Sequence, residues 1–341
     1  MAIPIIDLHE DVSLYFILHG GGEPLSDFNV DIPNRDVDIP KYLRGGVKLV
    51  FASIAPSIET FNPELSRSLQ ELYGVWVPVT KFRSPQSLII EHFEVYYKMA
   101  ETYKVISIVE SYDDIERVFN EEGKVGFLLH LEGADGIEDP YDLVLLRKLG
   151  LRSLGITWNY NNKYGFGCMS RKDYGLTPEG EELVNTAWKL GIIIDLAHAC
   201  KRTTLEVLAI AKKPVIISHA NIKALVDTPR NVDDEVLEAL KRNGGVIGLS
   251  AIGSIISRKS RPTIDDLIKH FMYVYERFGP DILAIGTDFM GLLGIPPPQG
   301  FELIDKTQTL LQKLMERRLT DKDIRKIAYE NALRVIKANM A

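Results

Sequence analysis

Several things are scarce in this chain, and each scarcity removes a class of protein. Two cysteines, Cys168 and Cys200, occur in 341 residues. That is too few for a disulfide framework, and free or buried thiols in a reducing compartment are expected. No run of about 18 apolar residues occurs, so no membrane span is expected. The opening apolar stretch, residues 3–6, is cut by Asp7 and lacks the basic start and length of a signal peptide. Positive charge is not in excess: the formal net charge is −7, which argues against a nucleic-acid binder. No Gly-x-Gly-x-x-Gly follows a strand and no Gly-Lys-Ser/Thr loop appears, so dinucleotide and nucleotide sites lose ground. A cytoplasmic location is expected.

What is present is alternation. Apolar, strand-like runs fall at residues 3–8, 46–54, 105–109, 124–131, 151–157, 191–197, 214–218, 245–251 and 282–287. Helical periodicity separates them at about 85–103, 140–149, 178–190, 202–212, 233–242 and 263–278, and Thr320 opens a helix to about residue 337. Near-continuous apolar strands alternating with helices are the pattern of a parallel sheet covered by helices. Closed on itself it is an α/β (β/α)8 TIM-type barrel; an open doubly wound sheet is the rival. No linker or repeat divides the chain, so residues 1–341 read as a single domain. Residues 19–46, rich in Gly and Pro, read as a long loop that covers something.

Polar residues cluster where these strands end. The first strand runs into His9-Glu10-Asp11, where alternation puts His9 and Asp11 on one face. Leu128, His130 and Glu132 share a face, as do Ile194, Leu196 and His198, then Ile217 and His219, then Gly286 and Asp288. In a parallel barrel the C-terminal strand ends gather on one face, where barrel enzymes keep their chemistry. Imidazoles and carboxylates suit a borderline divalent ion such as zinc. Three imidazoles and two carboxylates suffice for two ions if one carboxylate bridges, which leaves Asp288 as a proton carrier. His130 reads as a buried, hydrogen-bonded support and Asp195 as facing outward from the site. Cys200 reads as structural, and His19, His92 and His270 as surface residues.

The set Asp-Leu-His-Glu-Asp (7–11), Leu-Glu-Gly (131–133), Asp-Leu-Ala-His (195–198), Pro-Val-Ile-Ile-Ser-His (214–219), Pro-Arg-Asn-Val-Asp-Asp-Glu-Val-Leu (229–237) and Ile-Gly-Thr-Asp-Phe (285–289), with Glu-Asn-Ala-Leu-Arg-Val (330–335), resembles the membrane dipeptidase (renal dipeptidase) family. That family is a branch of the metal-dependent amidohydrolase-type barrels. The resemblance implies two Zn2+, with other divalent metals possible. His9 and Asp11 would hold one ion, His198 and His219 the other, and Glu132 would bridge them. It implies a dipeptidase acting through a metal-bridging hydroxide, with Asp288 as general acid/base. Arg230 would grip the substrate carboxylate, or else pair near the Asp233-Asp234 helix start. A homodimer is implied as well.

One position departs from the family pattern. Where many members carry a histidine after the fourth strand, this chain has Trp158, followed by Asn159 and Tyr160. An indole donates one N–H but carries no proton, so Asn159 or Tyr160 takes over at the substrate carbonyl, or the substrate differs. An N-acyl amino acid amidase or lactonase on the same barrel is the alternative, because fold and metals do not set the substrate. A non-catalytic ligand-binding paralogue is the reading from another class.

Overall fold

The computed structural model describes residues 2–18, 27–56 and 84–340. Its strands are β1 (Ile5–Glu10), β2 (Val47–Ile54), β3 (Ile106–Ile108), β4 (Val125–Leu131), β5 (Leu151–Gly155), β6 (Ile193–Asp195), β7 (Ile216–Ala220), β8 (Val246–Leu249) and β9 (Leu283–Ile285). All pair in parallel in the order β2-β1-β9-β8-β7-β6-β5-β4-β3, and a further β2–β4 pairing closes the ring. One edge of β4 is shared: Val125–Phe127 pair with β3, and Leu129–Leu131 with β5. The barrel wall is therefore β1, β2 and β4 to β9, with β3 wedged at the bottom of one seam. The rival open sheet is excluded by this closure.

The helices are α1 (Val12–Leu18), α2 (Ile39–Gly45), α3 (Pro85–Thr102), α4 (Tyr112–Asn120), α5 (Asp142–Lys148), α6 (Pro178–Lys189), α7 (Lys201–Ile210), α8 (Asp234–Asn243), α9 (Gly253–Ile256), α10 (Ile264–Phe278), α11 (Thr307–Glu316), α12 (Asp321–Arg325) and α13 (Asn331–Met340). Local chemistry starts many of them. Ser84, Ser111, Thr177, Asp233 and Thr320 each accept a backbone N–H of the first turn, which satisfies donors a helix start leaves orphaned. Strands β1, β4 and β7 are buried along their whole length, as expected where helices cover the outside and side chains fill the inside. No described helix is long and apolar enough to cross a membrane.

Four expectations need correction. The helix from Thr320 is not continuous: a wide π turn over Lys326–Glu330 separates α12 from α13. It sets Asn331 inward, where its amide donates to the carbonyls of Pro280 (2.7 Å) and Leu283 (2.8 Å). The expected loop 19–46 contains α2, and Lys41 in it is buried, its ammonium donating to Asp31, Asp38 and the Ile32 carbonyl. Residues 19–26, His19 among them, lie outside the described residues. His92 and His270 are not on the surface; each is 1% exposed. His92 Nδ1 meets Ser13 Oγ at 2.6 Å.

Two glycines decide how close the barrel wall comes together. A Cβ on Gly286 would sit 1.7 Å from the Ser218 carbonyl oxygen, and one on Gly248 would sit 2.0 Å from it. Only glycine admits that approach, and it lets β7 press inward against β8 and β9 just where His219 must point.

His270 links α10 to the loop after β7. Its Nδ1 accepts from the Ile222 N–H (3.1 Å) and its Nε2 donates to the Ile256 carbonyl (2.9 Å). Burial pushes its pKa down to about 4. The unfolded imidazole protonates near 6.5 while the folded one resists, so this stability is full above pH 6.5 and is lost as pH falls toward 4. From pH 7 to pH 5 this group alone removes about 2 kcal/mol. Urea unfolding at pH 7, 6 and 5 is expected to show a steeper loss for the wild type than for His270→Gln; parallel losses would contradict the assignment.

Candidate metal centre

Six ionisable side chains predicted from the sequence meet at the C-terminal mouth of the barrel, delivered there by a few local devices. β1 and β7 both change register where their histidines stand, between Asp7 and Glu10 and between Ile217 and Ala220. Such irregularities re-aim a side chain, here His9 and His219. Asp11 lies one residue past β1, its N–H donating to the Phe289 carbonyl at 3.0 Å. Glu132 follows β4, and its N–H donates to the Ile54 carbonyl at 2.9 Å. The alternation expected through residues 192–198 and 282–288 does not hold, because β6 ends at Asp195 and β9 at Ile285. Instead His198 (φ 63°) and Asp288 (φ 64°) adopt left-handed backbone conformations. Non-glycine residues pay strain for this and show it most often at functional sites.

The atoms converge closely. His9 Nε2 lies 3.5 Å from Asp11 Oδ2 and 3.6 Å from both Glu132 Oε1 and Asp288 Oδ1. The same Glu132 oxygen is 2.9 Å from His198 Nε2 and 3.4 Å from His219 Nε2. The two last nitrogens face each other at 2.9 Å. Three donor sets, His9/Asp11/Glu132, Glu132/His198/His219 and His9/His219/Asp288, each have atoms within 4.8 Å of one another. Zn–N and Zn–O bonds of about 2.0–2.2 Å leave ligand atoms roughly 3 Å apart, the spacing seen here. Both ring nitrogens of His9 and Asp11 Oδ1 are buried with no hydrogen-bond partner among the described residues. Buried polar atoms without partners are costly, and a divalent cation would satisfy donors of these types. The residues fit a metal pair.

Electrostatics treat the three imidazoles differently. Burial raises Glu132, and Asp11 and Asp288 add to the rise. Burial pushes Asp288 up to about 7 despite the opposing pull of His9. His9 is raised to about 10, because Glu132, Asp11 and Asp288 together outweigh the burial that opposes its charge. Burial, with Arg230 nearby, holds His198 and His219 well below their usual range, so both are neutral imidazoles. Neutral imidazole is the form that ligates metal.

Their other nitrogens are also set. His198 Nδ1 lies 2.8 Å from Asn159 Oδ1, an acceptor, so the proton sits on Nδ1 and the Nε2 lone pair faces Glu132. His219 Nδ1 lies 2.8 Å from Ser218 Oγ. That hydroxyl spends its proton on Asp195 Oδ2 at 2.5 Å, so it accepts from His219 Nδ1–H. Asp195 also accepts from the N–H groups of Ser218 (2.8 Å) and Ala197 (2.9 Å). The expectation that Asp195 faces outward is thus corrected. It is 1% exposed and lies 3.3 Å from His130 Nε2 in the interior. His130 is the buried support expected, with Nδ1 3.0 Å from Ser153 Oγ and its ring edge-on to His9.

The same clamp recurs at the barrel seam. Asp7 accepts from the N–H (2.9 Å) and hydroxyl (2.6 Å) of Thr287 and from the His9 N–H (3.1 Å). In both cases a strand aspartate grips a Ser or Thr that immediately precedes a site residue, His219 or Asp288. Sequence reasoning missed Asp7, Asp195, Ser218 and Thr287. The available signal was the repeated Asp-Leu before His9 and His198, together with the hydroxyl residue just before His219 and Asp288.

Above the cluster lies a cleft of about 170 Å3, lined among others by Asp11, Glu132, Trp158, Asn159, His198, Arg230 and Asp288. Trp158 is buried, its ring 6.0 Å from that of His198. Tyr160 packs its ring edge-on to Trp158 at 6.3 Å, is 45% exposed and is not among the residues that line the cleft. Arg230 Nη2 donates to the His219 carbonyl (3.0 Å) and lies 3.1 Å from His198 Nε2. Cys200 stays outside the cluster, its thiol donating to the Gly167 carbonyl.

The clamp on His219 yields a measurable consequence. Asp195→Asn and Ser218→Ala are each expected to weaken binding of one divalent ion by about 10–100-fold. Competition with a chromogenic chelator reads this, and thermal melting checks that the variants are folded. Wild-type affinity in both folded variants would remove the positioning role.

Comparison with known proteins places this geometry. The family model described as membrane dipeptidase (peptidase family M19) matches residues 1–341. An uncharacterized dipeptidase of Schizosaccharomyces pombe is 32% identical over 271 residues, 75% of this chain and 64% of the relative. Dipeptidase verJ of Clonostachys rogersoniana is 28% identical over 341 residues, 98% of this chain and 84% of the relative. The match to dipeptidase tcpJ of Claviceps purpurea spans 53% of that relative's length. A Rhodobacter sphaeroides metallopeptidase, solved with a phosphinate mimic of the dipeptide L-Ala-D-Ala, shares the fold with a TM-score of 0.84 at 22% identity, covering 99% of this chain and 100% of that one. The chain belongs to the membrane dipeptidase family, peptidase family M19, of metal-dependent dipeptide hydrolases.

Proposed function

We propose that this chain is a binuclear zinc dipeptidase that cleaves the single peptide bond of a free dipeptide. The observation that carries the reading is the convergence of Glu132 Oε1 on three imidazoles, at 3.6, 2.9 and 3.4 Å from His9, His198 and His219. His9 and Asp11 would hold one ion and His198 and His219 the other, with the Glu132 carboxylate within reach of both pairs. Held there, two divalent ions supply acidified water and a polarised scissile carbonyl.

The chain's own groups do the rest. Asp288, whose carboxyl burial brings to about 7, takes a proton from the attacking water and returns it to the leaving amine. Arg230, half-buried at the cleft edge, presents a planar fork to the substrate's terminal carboxylate. Asn159 is already engaged with His198, so its part is to orient that imidazole. Trp158 closes the side of the cleft and keeps water from the reacting centre, and Tyr160 backs the Trp158 ring. Free carboxylate recognition by Arg230 favours a dipeptide over a lactone; an N-acyl amino acid also carries that carboxylate and remains the second reading.

The test is direct. Dialysis against a strong chelator is expected to abolish dipeptide hydrolysis, and Zn2+ at two equivalents per chain to restore it. Asp288→Asn is expected to lower kcat by at least about 100-fold with little change in KM. Arg230→Ala is expected to raise KM for dipeptides by about 10-fold or more while Zn2+ content stays at two. Full activity in metal-stripped protein, or turnover of N-acetyl amino acids with none of dipeptides, would overturn the reading.

A further inference from the structure

Away from the ionisable cluster, the cleft wall is apolar. Trp158, Ile252, Ile255, Leu292, Leu293 and Ile295 form it, and among the described residues Ser254 is the one hydroxyl residue in its lining. Among the described residues the charged lining groups, Asp11, Glu132, Arg230 and Asp288, all belong to the metal or carboxylate end. A charged substrate side chain laid on this wall would lose water without gaining a partner. A bulky hydrocarbon one would gain by the area it buries.

The wall is built rather than incidental. Its outer part is the segment after β9, in which Asp288 (φ 64°), Met290 (φ 67°) and Leu293 (φ 48°) all take left-handed conformations. Such strain persists only where surroundings over-determine it, and the surroundings are visible. Met290 N–H donates to Asp36 Oδ2 (3.2 Å), Gly291 N–H to the Asp288 carbonyl (3.1 Å), and Ile295 N–H to the Leu292 carbonyl (2.8 Å). A Cβ on Gly291 would lie 1.9 Å from Asp11 Oδ2, so the segment is registered directly against the ionisable cluster. The inner part, α9, is pinned from two sides. The Asn231 amide donates to the Ile255 carbonyl (2.9 Å), and His270 Nε2 to the Ile256 carbonyl (2.9 Å). Ile295 is nonetheless 37% exposed, so apolar surface at the mouth stays open to whatever enters.

We propose that this wall selects substrates bearing a bulky apolar side chain, with Ile255 and Leu293 as specificity-determining residues. The inference rests on the dipeptidase reading and names its substrate class. With zinc-loaded enzyme, kcat/KM for L-Leu-L-Leu is expected to exceed that for Gly-Gly, L-Asp-L-Asp and L-Lys-L-Lys by about 10-fold or more, the discrimination an apolar pocket gives. Leu293→Glu is expected to lower the Leu-Leu to Lys-Lys ratio by at least about 10-fold. Ile255→Ala is expected to shrink the Leu-Leu to Gly-Gly ratio. Equal kcat/KM for all four peptides, or a Leu293→Glu ratio equal to wild type, would overturn the inference while leaving the dipeptidase reading intact. If none of the four is hydrolysed, the dipeptidase reading fails instead. Calorimetric binding of the same peptides then decides the inference: tighter Leu-Leu than Gly-Gly supports it, and no difference overturns it.

Discussion

Burying several ionisable groups in one small volume is the constraint to which this molecule answers. His9, Glu132 and His219 are each less than 5% exposed, and the carboxylates of Asp11 and Asp288 stand in the same cluster. Removing such groups from water costs several kcal/mol apiece unless each finds opposite charge or a hydrogen bond. Part of that compensation is internal: His9 stands among three carboxyl groups, and Arg230 borders the cluster. The remainder is of the kind a divalent cation supplies, since the His9 imidazole and Asp11 Oδ1, ligands of the type such an ion takes, have no hydrogen-bond partner among the described residues.

That constraint explains features of the barrel that packing alone does not. The register changes in β1 and β7, the left-handed His198 and Asp288, and the glycines opposite Ser218 all bend regular structure toward one point. The two aspartate clamps hold the result. Each ties an aspartate of one strand to a hydroxyl beside the neighbouring strand's site residue. Because the carboxylate accepts both N–H and O–H of the same Ser or Thr, the following residue has little freedom to turn. At His219 the clamp does more, because the hydroxyl it orients also sets which ring nitrogen carries the proton. Asn159 performs that second task for His198.

Much of the architecture was legible because it follows from local rules. Apolar runs such as Val125–Leu131 are buried end to end in a covered parallel sheet, and Ser111, Thr177 and Asp233 mark helix starts by a chemistry that needs no tertiary context. The site residues were legible for a different reason: imidazole and carboxylate at the ends of apolar strands are expensive and therefore informative. The reasoning about alternation was sound for β4, where His130 and Glu132 face the interior together, and unsound for β6 and β9. There the strands stop three residues early, and a backbone turn, not pleating, aims the side chain. His92 and His270 were misplaced because a helical pattern marks a buried face, not which polar residue on that face will find partners from distant elements.

By itself, then, the order of residues determined which segments become strands and helices, and which few polar groups stand at the barrel mouth, because propensity, capping and hydrophobic period act over short stretches. Only the folded chain decided that Asp195 turns inward, that the Ser218 hydroxyl it holds accepts from His219 Nδ1–H, that Asn159 serves His198, and that Ile255 and Leu293 share one cleft. Those outcomes join residues tens of positions apart, and hydrogen bonding and close packing between them exist only after the ring of strands has closed.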